Sequence, residues 1–371
     1  MTTTSDILVI GGGIAGISAA AEMSEDATVT VLESEEVIGY HASGRSAAIF
    51  LRNYGNSTLR ALNAAAEPFL KEPKGVAEET LLSPRGELMI AAEAELDALE
   101  NYLDGAEGME RISPDDAVEL VPILRHEKIA AAAIERNAQD IDVDRMLQGY
   151  ARLLRKQGGE IRNNAMAERI TYAKGIWTVE TSLESFQAPI LVNAAGAWAD
   201  VIGEMAGVKK VGLIPMRRSA ILLPAPEGYD ITRWPLFVSA SEQWYAKPEA
   251  GKLFVSPADE DPVEPHDAWP DDMVIAEGLD RYEQAVTVPV TRVEKSWAGL
   301  RSFVSDRTPV VGFDAEADGF FWLAGQGGYG MQTAPALSAL SAALCLEKAP
   351  TLKPNIVEAL SPKRFSQVNS S

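Results

Sequence analysis

The N-terminus runs through strand, glycine turn, helix, strand and acid in fixed succession. Ile7-Leu8-Val9-Ile10 leads into Gly11-Gly12-Gly13-Ile14-Ala15-Gly16, and Val29-Thr30-Val31-Leu32 ends on Glu33, 22 residues after Gly11. A βαβ unit needs this spacing to hold the ADP half of a dinucleotide. Gly11 allows the bend off the strand, Gly13 lets the backbone approach a pyrophosphate, and Gly16 lets the helix pack closely on the sheet. Ile14 and Ala15 open a helix whose N-terminus turns free N–H groups and a positive dipole end toward phosphates. Glu33 can accept both ribose hydroxyls and repels a 2′-phosphate, which disfavours NADP.

Past Glu33 the pattern alternates. Gly44-Arg45-Ser46-Ala47-Ala48 belongs to a loop of small residues, with a helix expected to begin at Ser46. Leu59, Leu62, Ala66 and Leu70 predict a helix over 57–71, and Gly86 to Ile90 reads as a strand. An acidic surface helix is expected over 92–104, with a further helix start at Ser113. Asp142 is a fitting N-cap for a helix to about Lys156, stopped by Gly158-Gly159. Strands follow at 160–162, 170–180 and 186–192, the last running into Asn193-Ala194-Ala195-Gly196-Ala197-Trp198. From about Gly212 to Val304 short strands and turns are expected, with the acidic, Pro-containing stretch 258–265 as an exposed connection.

A second glycine turn closes the chain. The strand Gly319 to Ala324 runs into Gly325-Gln326-Gly327-Gly328-Tyr329-Gly330-Met331-Gln332-Thr333, and a helix is expected from about Ala334 to Leu346. One helix N-terminus serves a pyrophosphate. A second suits an isoalloxazine ring, which gains negative charge near N1 and O2 on reduction. Nicotinamide gains no such charge, so the pair of turns favours FAD over NAD.

Composition narrows the partners. The net charge of −21 repels nucleic acid and anionic membrane. Cys345 is the single cysteine, which leaves no disulfide within a monomer and no thiolate cluster. His41, His126 and His266 show no ligand spacing, which argues against a metal site. The polar N-terminus lacks the apolar core of a signal peptide, and no apolar run is long enough to span a membrane, so a cytoplasmic protein is expected.

Gly44-Arg45-Ser46-Ala47-Ala48, Asn193 to Trp198 and Gly327-Gly328-Tyr329-Gly330 resemble the D-amino-acid oxidase family of FAD enzymes, with glycine oxidase and sarcosine oxidase as relatives. Leu82-Ser83-Pro84-Arg85, Arg217-Arg218-Ser219-Ala220 and Trp297 to Phe303 resemble the bacterial D-arginine dehydrogenase branch, nearly end to end. The resemblance implies an α/β fold: a Rossmann-type FAD-binding domain of discontinuous segments (1–80, 141–205 and 296–371) and a mainly antiparallel β substrate domain (81–140 and 206–295). It implies non-covalent FAD, in keeping with no cysteine near either glycine turn. It also implies oxidative deamination of D-amino acids by hydride transfer from Cα to flavin N5, the imino acid then hydrolysing to a 2-oxo acid and ammonia. A quinone, another acceptor or oxygen would reoxidise the flavin.

The resemblance assigns roles by position. Arg218 and Arg301 match a carboxylate clamp, which a planar guanidinium suits. Tyr54 and Tyr245 match tyrosines that hydrogen-bond the carboxylate. Glu87 matches an acid that meets a cationic substrate side chain, and Gly328 and Met331 match positions beside the flavin. Met166, Ala195, Gly196, Gly327, Tyr329, Gly330, Gln332 and Thr333 complete the expected cofactor contacts. Ile49, Leu51 and Leu236 stand where the dehydrogenase pattern has His, Thr and Met, so the pocket is more aliphatic and both basic and bulky aliphatic substrates are expected. Two other readings remain open: a glycine- or sarcosine-type secondary-amine oxidase, which has no use for Glu87, and a non-catalytic nucleotide-binding module.

Overall fold

The computed structural model describes residues 2–365; Met1 and residues 366–371, included in the expected first and third FAD-domain segments, lie outside it. Ile7–Ile10 is a central strand of a six-stranded sheet. Val29–Leu32 and then Glu160–Arg162 flank it on one side; Ile190–Asn193, Phe320–Ala324 and Val310–Phe313 follow on the other. All neighbours are parallel except the last pair. A parallel sheet covered on both faces needs apolar side chains at every position. Accordingly every residue of Ile7–Ile10, Val29–Leu32 and Phe320–Ala324 is buried.

Helices Ile14–Met23, Val143–Lys156 and Gly330–Cys345 cover one face, with Ile17, Tyr150 and Leu337 in their core. The other face packs Leu8, Leu191 and Trp322 against Trp177 and Phe186 of a small sheet built from Thr2–Thr4, Ser185–Ala188, Ile176–Glu180 and Arg169–Ala173. The expected cap is in place, the Asp142 carboxylate accepting the Arg145 N–H at 3.0 Å; Asn56 likewise caps the helix from Ser57, accepting the Leu59 N–H at 3.0 Å. Two glycines are sterically required. A Cβ on Gly16 would stand 2.0 Å from the Gly11 carbonyl oxygen, and one on Gly11, whose φ is +113°, would stand 2.3 Å from that of Ala194.

A second, nine-stranded sheet forms the other layer. Ile214–Leu223 is its longest strand. Lys295–Phe303 pairs along one edge of it, while Asp261–Pro262 and Lys252–Ser256 share the other. Tyr245–Glu249, Leu236–Ser239, Glu87–Ala91, Ala131–Glu135 and Met109–Ile112 follow in order. Only the pair Leu236–Ser239 and Glu87–Ala91 is parallel. Alternation along the strands separates two faces. Leu88 and Phe237 face an outer core with Trp234, Trp244 and Tyr282. Met89, Leu236 and Val238 face inward, packed with Ile49 and Tyr245.

Several expectations are corrected. No helix begins at Ser46: a 3-10 turn spans Ala42–Arg45, and Ser46 is extended. The C-terminal helix starts at Gly330, four residues early, because the glycine turn itself supplies its first turn. The stretch from 212 to 304 contains a helix, Asp272–Ala285, capped by Asp271 and burying Ile275, Gly278 and Tyr282. That helical spacing was overlooked among strand signals. The strand Lys295–Phe303 pairs with Ile214–Leu223 along its whole length.

Trp322 is fully buried, lies over Gly203, and donates its indole N–H to Asp314 at 2.9 Å. Trp322→Ala is expected to cost about 3–5 kcal/mol. Urea unfolding followed by far-UV circular dichroism checks this; a midpoint equal to that of the unsubstituted protein would contradict the packing described.

Candidate active site

The nucleotide end is organised by Glu33. Its carboxylate accepts the Gly12 N–H at 2.8 Å through Oε2 and the Glu35 N–H at 2.9 Å through Oε1. These bonds fix the acid beside the first glycine turn, and a carboxylate retains further lone pairs for ribose hydroxyls. Ser43 Oγ accepts the Ile14 N–H at 2.9 Å, the first of the helix donors, and Ala165 donates its N–H to the Glu33 carbonyl. Met166, beside Ala165, has an exposed side chain. Gly11, Gly13, Ala195 and Gly196 gather where the first turn and the end of Ile190–Asn193 meet. The close backbones leave a cradle that fits a dinucleotide.

Two expected cofactor residues have other duties. The Arg45 guanidinium bonds the carbonyls of Ala268 and Ala298 at 2.8 and 3.0 Å and pairs with Asp267, so its side chain pins a loop. Gln332 accepts the Leu51 N–H at 3.0 Å and donates to Asn63 at 2.9 Å. It ties the 49–54 segment to the C-terminal helix. Thr333 returns its hydroxyl to the Tyr329 carbonyl, and Met331 is buried in the helical core. Ser46 Oγ accepts the Ala48 N–H, which helps hold Ala48 at its left-handed φ of +36°.

The register of the large sheet assembles the clamp. Arg218 lies opposite Gly299, and Arg301 lies opposite Met216. Directly opposed residues share a face, as do residues two apart, so Arg218 and Arg301 project from one face. Arg217 turns the other way, to Asp259 and Asp261. Arg301 points one guanidinium nitrogen at the Tyr54 hydroxyl (3.5 Å) and another at that of Tyr245 (3.4 Å). A Cβ on Gly328 would stand 3.0 Å from the Arg301 guanidinium carbon, so the second turn lies tightly against this side chain. The helix Gly330–Cys345 therefore begins beside the clamp.

Charge in the site follows from these contacts. Burial raises the Tyr54 phenol well above its ordinary range. Burial pushes Tyr245 the same way, but the Arg301 and Arg218 cations outweigh it and the net shift is downward. Burial would lower Arg301, yet the Tyr245 and Tyr54 phenols and nearby acids hold it firmly protonated. Arg218 is 8% exposed and pairs with Glu260 at 2.9 Å; Glu260 also takes Arg307 at 2.9 Å. The stretch 258–265 is thus a strap whose alternate acids staple Arg217 on one side and Arg218 on the other. Sequence reasoning missed Glu260, although three consecutive acids and two consecutive arginines carried the signal.

The far wall is acidic and apolar at once. Glu87 is 3% exposed and lies opposite Leu236 on one neighbouring strand and Glu135 on the other. Tyr102 donates its hydroxyl to Glu87 at 3.0 Å. Ile49 and Leu236 pack with Met89 and Tyr245, and Leu51 is buried, so the aliphatic substitutions read from sequence line or back this wall. Glu242, in the turn before Tyr245, is near enough for its charge to act on Tyr54, Glu87 and Arg301 alike. Tyr102, Glu135 and Glu242 went unnoticed in the sequence; an acid ending the apolar run Ala131 to Ile134 was the available sign.

Burial, and then the Glu135 charge, push Glu87 up from 4.5 to about 8. Such a carboxyl binds more protons folded than unfolded. Its contribution to stability is complete below the unfolded value and is lost as pH rises through the folded one. Glu87→Gln removes that loss. The variant's Tm relative to the unsubstituted protein is expected to climb between about pH 5 and about pH 8 and to level off above that. A difference that stays flat across this range in differential scanning calorimetry would contradict a protonated Glu87.

Comparison with known proteins agrees with this geometry. The family model described as FAD dependent oxidoreductase matches residues 6–344. The chain is 26% identical to the FAD-dependent oxidoreductase domain-containing protein 1 of Bos taurus, over 92% of this chain and 81% of that one. Glycine oxidase from Geobacillus kaustophilus superposes with a TM-score of 0.84 at 21% identity, covering 98% of this chain and 99% of that one. L-proline dehydrogenase from P. horikoshii superposes with a TM-score of 0.84 at 22% identity, covering 99% of each chain. The structural likenesses establish the fold, an FAD-binding Rossmann-type domain with a β substrate domain. Among the described residues no helix is long and apolar enough to cross a membrane. With a glycine turn and acid at the nucleotide end and a family match over residues 6–344, the chain belongs to the FAD dependent oxidoreductase family.

Proposed function

We propose that the protein oxidises D-amino acids, both basic and bulky aliphatic, to 2-oxo acids and ammonia. The observation that carries this is Arg301: a partly buried guanidinium, bracketed by two phenols, with no carboxylate partner among the described residues. A buried cation without a counter-ion is costly, so the arrangement calls for an anion from outside. A substrate carboxylate matches its fork, with Tyr54 and Tyr245 as further donors and Arg218 alongside. The cradle of Gly11, Gly13 and Glu33 would hold the ADP half of FAD, and the turn 327–330 its ring.

Bound FAD supplies a two-electron acceptor for the hydride on the carbon that bears the amine. The chain's own residues supply orientation. Anchoring the carboxylate at Arg301 fixes which face of Cα is presented, and the inner wall of Ile49 and Leu236 receives the side chain. Glu87 meets a cationic head group. No strong base is required, since a neutral amine lone pair assists hydride departure; substrate deprotonation then governs the pH dependence. The similarity to glycine oxidase favours a second reading, a small secondary amine as substrate, in which Glu87 has no task.

Anaerobic addition of D- and L-amino acids to the holoenzyme tests both readings. D-methionine and D-arginine are expected to bleach the flavin and their L-enantiomers are not; bleaching by glycine and sarcosine alone would support the second reading. Arg301→Ala is expected to lower kcat/KM by about a hundredfold or more with FAD content unchanged, the loss of a charge-assisted clamp being worth on the order of 3 kcal/mol. Normal turnover in that variant would move the substrate elsewhere.

A further inference from the structure

We propose that Glu87 and Glu135 hold one proton between them and that a cationic substrate side chain displaces it, so that Glu135 sets the pH at which the site turns from neutral to cationic side chains. This rests on the D-amino-acid reading above.

The geometry is that of two buried acids directly opposed on adjacent antiparallel strands. Glu135 is 2% exposed. Opposed residues lie within reach of one another, and two charged carboxylates in that position repel strongly. The two are solvated unequally. Glu135 accepts the Asn53 amide at 2.7 Å and the Arg52 backbone N–H at 3.0 Å, and both bonds favour its ionised form. Glu87 has a single hydrogen bond to its carboxylate among the described residues, from Tyr102. The proton therefore resides on Glu87.

The cations near these strands are committed to other acids. Tyr102 reaches Glu87 from the helix Leu96–Leu103 and Glu242 acts on it from the turn before Tyr245, the one neutral and the other an acid. The Arg52 guanidinium turns to Glu67 and Glu107. Arg85, just before the Glu87 strand, and Lys247, two residues past Tyr245, are both committed to Asp140, and Lys247 also to Glu249. Among the described residues these three cations are thus already paired, whereas Glu87 lies opposite the apolar Leu236. An incoming guanidinium or ammonium would form an ion pair with Glu87 while the proton leaves to solvent; a neutral side chain would leave the proton in place. Burial and the Glu135 charge put this exchange near pH 8.

The test is the ratio of kcat/KM for D-arginine to that for D-methionine as a function of pH. Deprotonation of the α-amine affects both substrates and cancels in the ratio. In the unsubstituted holoenzyme the ratio is expected to rise up to about tenfold per pH unit and to level off above the exchange. Glu135→Gln is expected to move the rise down by about one pH unit, and Glu87→Gln to flatten it. A flat ratio in the unsubstituted enzyme, with both substrates oxidised, overturns the proposal. So does a Glu135→Gln variant that slows both substrates equally and leaves the rise in place, which would make Glu135 structural. Oxidation of D-methionine without any of D-arginine overturns it too, while sparing the D-amino-acid reading. Oxidation of neither removes that reading itself.

Discussion

The pairing of Ile214–Leu223 with Lys295–Phe303 is the constraint on which the site depends. It runs unbroken through nine residue pairs, from Ile214 with Phe303 to Leu222 with Lys295. Its register puts Arg218 and Arg301 on one face and Arg217 on the other. A slip by one residue would send Arg301 away from the site, because side chains alternate along a strand. The same strand ends at Phe303, against Gly327 of the second glycine turn. One ladder thus fixes the clamp and delivers the chain to the place where the C-terminal helix begins.

Charge compensation explains much of the remaining architecture. In a chain of net charge −21 the cations that lie close to the site are paired with acids. Arg217 and Arg218 are stapled by Asp259, Glu260 and Asp261, Arg45 by Asp267, and Arg85 and Lys247 by Asp140. Against that background Arg301 stands apart, with phenols and no acid at ion-pair distance among the described residues. Glu87 and Glu135 stand apart in the opposite sense, as buried acids without a cation. The two exceptions are linked by Glu242, whose charge acts on both Arg301 and Glu87. Unbalanced groups in a balanced structure are where a ligand's own charges fit.

The inner wall between them is aliphatic. Ile49, Leu236 and Met89 carry no polar groups and fill the space with branched or flexible side chains. Such a wall accepts bulky apolar side chains with modest discrimination among them. Gln332 and Asn63 hold the segment that carries Ile49, Leu51 and Tyr54, with Asn63 donating to the carbonyls of Leu51 and Tyr54 at 3.1 Å each. The 49–54 segment is therefore anchored by buried amide bonds to the C-terminal helix, so Tyr54, Ile49 and Leu51 are positioned together.

Local patterns were decisive at the nucleotide end. Strand, turn, helix and acid lie within 27 residues, from Ile7 to Glu33, and each carries its own steric or dipolar reason, so the chain alone determined the cofactor cradle. The cap at Asp142 was legible for the same reason, being a contact between near neighbours. The clamp arginines were named through a resemblance, since an arginine in an apolar run has a structural use as often as a functional one. The roles of Glu260, Glu135 and Tyr102 were not read, and Gln332 was read for a different duty, because their partners lie far away in the chain; Leu51, for one, is 281 residues from Gln332. Whether an acid is a solvated surface charge or a buried group short of a cation depends on which strands lie beside it, and that is settled only when the sheet closes.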